Sequence, residues 1–114
     1  MTKTAAFKEL DKLTGGDAGV MKELLTIFIR ENLLRINTIK ACQDSKNWKE
    51  LKRTAHKIKS SFALIGMMQH RALAEELEQV AGDDRVCTDK LIVKLLKACQ
   101  EAIDHVQKKL KEIS

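Results

Sequence analysis

His56 is the residue with the strongest case for chemistry. A neutral imidazole with an ordinary pKa of about 6.5 is a nitrogen nucleophile at neutral pH. If its segment is helical, Lys59 and Ser60 stand three and four residues later on its own face, with Ala63 one turn beyond. Once the ring carries a phosphoryl group, an ammonium one turn along can offset the new charge. The small side chains leave room for another protein to approach the ring. His70 and His105 offer less: with no partner acid, no cysteine at i+4 and no second histidine at ligand spacing, neither begins a zinc site. Ser60 and Ser61 share a helix with His56 and cannot present a nucleophile to it in triad geometry. Gly15-Gly16 precedes a helix, but no strand leads into it and no lysine follows at the distance a phosphate loop needs. Neither a metal nor a bound cofactor is therefore expected.

The elements that must position His56 are legible from apolar spacing. Leu51, Ala55, Ile58, Phe62 and Ile65 recur at steps of three and four, the stripe of a helix from about Trp48 that Gly66 ends. That stripe faces the core and turns His56 outward. A short segment of about Thr4 to Leu13, with Phe7 and Leu10 on one face, stops at Gly15-Gly16. Asp17 then caps a long helix of about Ala18 to Asp44 that buries Leu24, Leu25, Phe28, Ile39 and Cys42. A fourth helix covers about Met68 to Ala81 with Leu73, Leu77 and Val80 inward. After Gly82-Asp83-Asp84, Thr88 or Asp89 is expected to cap the last helix, whose stripe is Ile92, Leu95, Cys99, Ile103, Val106, Leu110 and Ile113. Short connections force neighbours antiparallel. The expected fold is all-α: an up-down-up-down four-helix bundle with a short additional N-terminal helix, residues 1–114 forming a single domain. On the second helix Ile29, Leu33 and Ile36 make a further apolar stripe near the level of His56, where a partner is expected to dock on Leu33 and Ile36.

The composition agrees: 114 residues, 44% hydrophobic, 32% charged and without proline suit one helical domain and one core. The apolar runs are too short to cross a bilayer. The N-terminal residues lack an apolar run followed by a cleavage site, so neither membrane contact nor a signal peptide is expected. Three widely spaced cysteines, Cys42, Cys87 and Cys99, suit reduced thiols and a cytoplasmic setting. The net charge of +5 is concentrated between Lys40 and Lys59, where seven basic residues meet only Asp44 and Glu50. Such a patch attracts phosphate, on nucleic acid, on lipid or on a protein.

The run Ala55-His56-Lys57-Ile58-Lys59-Ser60-Ser61-Phe62-Ala63-Leu64-Ile65-Gly66 resembles the signature of the histidine-containing phosphotransfer (HPt) domain family. There a histidine is followed by an aliphatic residue at +2, lysine at +3, a small residue at +4, serine or alanine at +5, and an aliphatic residue and glycine at +9 and +10. Ser60 stands where glycine is commonest. Leu10 through Leu25, Phe28, Trp48, Leu51 and Leu73 through Glu78 also fall where the family places similar residues, so the resemblance covers nearly the whole chain. It implies a phosphorelay intermediate without autonomous catalysis. His56 would take a phosphoryl group from a phospho-aspartate on one receiver domain and pass it to another. Lys59 would be the cation near the phosphate, Glu78 would hold the non-reacting imidazole nitrogen, and Ser60 and Ala63 would lie under the partner. Partners would be receiver domains of response regulators or hybrid sensor histidine kinases, which would bring the magnesium. Nucleic acid would not be a partner. A basic helical adaptor for nucleic acid or protein, with His56 incidental, is the competing reading, and the charge alone supports it.

Overall fold

The computed structural model describes residues 7–113, and every regular element among them is a helix. In chain order these are α1 (Lys8–Thr14), α2 (Ala18–Ser45), α3 (Trp48–Leu64), α4 (Met68–Val80) and α5 (Arg85–Ile113). α2 packs on α3 and α5, α4 packs on the same pair, and α1 lies on α2. Contacts between neighbours run in antiparallel order. His56 meets Glu78 and Phe62 meets His70 along α3 and α4. Val80 meets Thr88 and His70 meets Glu101 along α4 and α5. Gln43 meets Asp89, and Arg35 lies within electrostatic reach of Cys99, along α2 and α5. The bundle is thus up-down-up-down, as the short connections require. At 1.5 Å per residue, α5 alone is about as long as the 43 Å major dimension of the molecule.

Helix boundaries follow from where orphan amides find acceptors. Asp17 caps α2 by accepting from Val20 N at 3.1 Å, and Asn47 caps α3 by accepting from Glu50 N at 3.2 Å. Lys46, between those helices, holds a left-handed φ of 59°. The first helix is seen from Lys8 onward, and the expected start at Thr4 to Ala6 lies outside the described residues. The cap of the last helix differs from expectation. Asp84, not Thr88 or Asp89, accepts from Cys87 N at 3.1 Å, so α5 begins at Arg85. The other two side chains are already used. The Thr88 hydroxyl, buried, accepts from Gly82 N and donates to Val80 O. Asp89 accepts from Gln43 and Arg85, and the Gln43 bond, followed by Arg85, holds its carboxyl below the usual range against the effect of burial.

The core forms as the stripes predict. Leu51, Ala55, Ile58, Phe62 and Ile65 from α3 and its end are fully buried, together with Leu25, Ile39, Leu77, Ile92, Leu95, Cys99 and Val106. Leu24, Leu73, Val80, Leu110 and Ile113 pack on this cluster half-buried, and Ala74 takes the central place on α4. Burial pushes the Cys99 thiol up to about 12 and raises Cys42 as well, so both behave as small apolar side chains.

The α4–α5 turn closely approaches α3 at Trp48. Gly82 has φ +88°, and a Cβ there would meet the Trp48 ring at 2.8 Å. Gly15, at φ +61°, has open space around the same position. Gly15→Ala is expected to cost only the left-handed conformation, about 1–2 kcal/mol. Gly82→Ala adds a clash with an aromatic ring and should cost at least about 1 kcal/mol more. Thermal melts of the two variants compare them directly, and equal melting temperatures would contradict the Trp48 contact.

Candidate functional site

α3 is amphipathic, and the register that buries Ala55 and Ile58 leaves His56 between them with 59% of its side chain exposed. The ring is nevertheless held. Nδ1 lies 2.8 Å from Oε2 of Glu78 on α4. The other carboxylate oxygen, Oε1, accepts from Nζ of Lys59 at 2.9 Å. Glu78 and Lys59 sit deeper than the histidine, with side chains 27% and 18% exposed. The anchor is therefore sunk between the helices while the ring stands clear of it.

Electrostatics fix the tautomer. The Lys59 hydrogen bond is the largest influence on Glu78 and holds its carboxyl below the usual range. Burial opposes it, and the His56 bond reinforces it. A carboxylate that is ionised at neutral pH only accepts hydrogen bonds. Nδ1 therefore carries the proton, a conclusion drawn from the pairing and not from a visible hydrogen. The lone pair is left on Nε2, the nitrogen that Glu78 does not touch. Because folding lowers the Glu78 pKa, the pairing stabilises the fold above the ordinary glutamate range near about 4.3. That contribution is lost as pH falls through the folded value.

Of the residues singled out in the sequence, His56, Lys59 and Glu78 are brought into one hydrogen-bonded group. The ammonium of Lys59 rests on Glu78. Ser60 follows His56 by one turn on the exposed face, its hydroxyl 3.5 Å from the His56 carbonyl oxygen, and Ala63 beyond it is half-buried. The α2 stripe divides. Leu33 is 48% exposed and lines a shallow apolar groove with Thr26, Ile29, Arg30, Leu34 and Asn37. Ile36 and Ile29 are half-buried against the core. His70 differs from expectation in having an acid nearby: Nε2 lies 3.5 Å from Glu101 Oε1, without a hydrogen bond between them, and the ring meets Phe62 edge-on. Glu101 is far from His70 in sequence, and only the antiparallel pairing of α4 and α5 brings it near. His105 stacks on Phe7, with ring centroids 5.0 Å apart. Among the described residues no group of three or more His, Cys, Asp and Glu is placed to hold a metal ion.

Arg35 is the supporting residue that sequence reasoning did not find. From α2 it donates to Ser61 Oγ at 2.6 Å and to Glu31 Oε2 at 2.9 Å, pinning α3 more than a turn past His56. The Glu31–Arg35 spacing is readable as an i, i+4 pair. Its reach to Ser61 depends on which face of α2 meets α3.

An exposed imidazole with a fixed tautomer offers an unprotonated ring nitrogen that can attack an electrophilic group. The Hpt domain family model matches residues 23–113. The chain belongs to the Hpt domain family. Hpt domains are phosphocarrier modules of two-component signalling, and they work with receiver domains. No curated protein and no solved structure matches the chain. No helix among the described residues is long and apolar enough to cross a membrane.

If Glu78 is held ionised chiefly by Lys59, Lys59→Met should raise the Glu78 pKa more than His56→Gln does. A carboxyl-carbon NMR titration of the two variants reads this, and the reverse order would contradict the assignment.

Proposed function

We propose that this Hpt domain is a phosphorelay intermediate with His56 Nε2 as the phosphoacceptor. The observation that carries the reading is the Glu78 contact at Nδ1, which leaves the Nε2 lone pair free on an exposed ring. In the forward step that lone pair attacks the phosphorus of a receiver-domain phospho-aspartate. The P–O bond to aspartate breaks, and its electron pair returns to the carboxylate. The reverse geometry passes the phosphoryl group to a second receiver, so either a response regulator or the receiver of a hybrid sensor histidine kinase serves as partner. Glu78 orients the ring. Lys59 supplies positive charge one turn from the reacting nitrogen, and charge-assisted contacts of this kind are the strong ones.

The chain acts as a carrier and not as an enzyme with its own turnover. Transfer draws its magnesium from the receiver, and the protein works in the cytoplasm, where its partners are. The docking surface is the exposed side of α3 at Ser60 and Ala63, together with Leu33 on α2. The basic residues between Lys40 and Lys59 attract an acidic partner and speed encounter. Nucleic acid is not required, since the same charge serves recognition of a receiver.

Incubation with a phosphorylated receiver should place an acid-labile, alkali-stable phosphate on the wild-type protein and none on His56→Gln. That variant should fold normally, as exposed substitutions change stability by under about 0.5 kcal/mol. His70→Gln and His105→Gln should still transfer. Phosphate retained on His56→Gln would refute the assignment.

Leu33→Asp is expected to weaken receiver binding without lowering the melting temperature, since the side chain is already half exposed. Ile36→Asp, which puts a charge against the core, should unfold the bundle at lower temperature. Unchanged receiver affinity for Leu33→Asp would move the docking surface onto α3 alone.

A further inference from the structure

Both oxygens of Glu78 are occupied in the resting site, and what this carboxylate does to the phosphorylated ring follows from the same geometry. With a phosphoryl group on Nε2, the ring exists either with Nδ1 protonated, as a cation, or with Nδ1 bare. The two forms differ as phosphoryl donors. When a nucleophile's oxygen attacks phosphorus and the Nε2–P bond breaks, the electron pair goes to Nε2. If Nδ1 keeps its proton, neutral imidazole leaves. If it does not, an imidazolate anion must leave, which is far less favourable. Nor does the forward step alter Nδ1: the neutral ring attacks with Nδ1–H in place and becomes the phosphorylated cation with that same proton. No proton is taken up or released at Nδ1 in either direction.

Resting on the reading of His56 as the phosphoacceptor, we infer that Glu78 is a positioning residue for the phosphorylated state. It keeps Nδ1 protonated after transfer and so keeps the phosphoryl group mobile at neutral and mildly alkaline pH. Glu78 Oε2 already lies at hydrogen-bond distance from Nδ1, so no rearrangement is needed when the ring becomes a cation. Lys59 holds the carboxylate ionised and in place from its other oxygen, and the low position of the Glu78 pKa agrees with this. A neutral amide in the same place would accept the same hydrogen bond and keep the same tautomer. It would not supply the counter-charge.

The surrounding charges do not cancel the effect. On α3, Lys52 and Lys57 flank the histidine, Arg53 is paired with Glu50 at 3.2 Å, and Lys59 is on Glu78. From α4, Glu78 is the group in contact, with Glu75 one turn before it. From α2, the polar contact to α3 is Arg35 to Ser61, more than a turn beyond His56. The lysines oppose protonation of the ring and offset the phosphoryl charge, so the contact carboxylate decides whether Nδ1 keeps its proton. An opposite charge at this distance moves a pKa by about 1–3 units, least where water screens the pair.

The test needs no partner. The whole protein is phosphorylated with phosphoramidate, and the imidazole C–H resonances of phosphorylated His56 are followed against pH by NMR. Loss of the phosphorus signal is timed over the same range. For Glu78→Gln the Nδ1 midpoint should fall by about one unit, so that above both midpoints the phosphoryl group is lost about tenfold more slowly. At low pH the two proteins should lose it at equal rates. The curve should thus shift along the pH axis and not scale down, which a merely structural role would not produce. Lys59→Met, which leaves Glu78 to the ring alone and removes a nearby cation, should move the midpoint the other way. Equal midpoints in the wild type and Glu78→Gln, with phosphate on His56 in both, would overturn this inference and leave the carrier reading standing. Absence of phosphate on wild-type His56 would overturn both.

Discussion

One carboxylate shared between two helices organises this protein. Glu78 accepts from His56 and from Lys59, and each of those bonds crosses from α3 to α4. Three residues then have roles that none has alone. Lys59 keeps the acid ionised, the acid orients the ring, and the ring offers Nε2. The arrangement requires a fixed register between the helices, because a shift of one residue on either would turn Glu78 roughly 100° away from the site. Phe62 against His70 near the α3–α4 turn, and the Trp48–Gly82 contact at the opposite end, hold that register from both sides.

The gradient of burial across the group matters as much as its distances. Ion pairs in full solvent contribute little, since water screens them and side-chain entropy opposes them. Fully buried ones cost desolvation that only good geometry offsets. Lys59 and Glu78 lie between these limits, shielded by the aliphatic part of the helix interface, while the imidazole stands in solvent. A partner can then reach the reactive nitrogen without displacing the side chains that orient it.

Legibility in the sequence divided along the same line. The four main helices, their antiparallel order and the buried stripe of α3 follow from spacing within single segments. So does His56, whose outward position is fixed by Ala55 and Ile58 beside it. The motif through Gly66 and the family resemblance agreed with that reading. Glu78 was reached through the resemblance alone, because nothing in a span of 22 residues says that its side chain meets His56. The Lys59–Glu78 bond, the Arg35–Ser61 bond and the approach of Glu101 to His70 escaped for the same physical reason. Each depends on the rotation of one helix against another, which single-helix periodicity does not contain. The cap of α5 failed for a different reason. Asp84, Thr88 and Asp89 are all competent N-caps by type, and the choice turned on which of them tertiary contacts had already used. Asn32 shows the limit from the other side. It is polar and nearly fully buried, its Nδ2 donates to Phe28 O, and its place on the inner face of α2 breaks the pattern that defines that face.

On the proposed function, the charge cycle of the site explains why so small a bundle would suffice for a carrier. Adding a phosphoryl group brings about −1.5 to −2 charges at neutral pH. The ring becomes a cation in the same step, so about half of that charge is met by the histidine itself. Its proton is met in turn by Glu78, already in contact. The remainder faces solvent near Lys52 and Lys57, which form no ion pair among the described residues. No buried group changes its charge, and no buried hydrogen bond must break. The close-packed core beneath α3, with Ala55, Ile58 and Phe62 fully excluded from water, has no reason to move between the two states. In the proposed relay a rigid support of this kind would present one shape to both donor and acceptor, leaving the direction of transfer to the relative stability of the phosphoryl bonds on the partners.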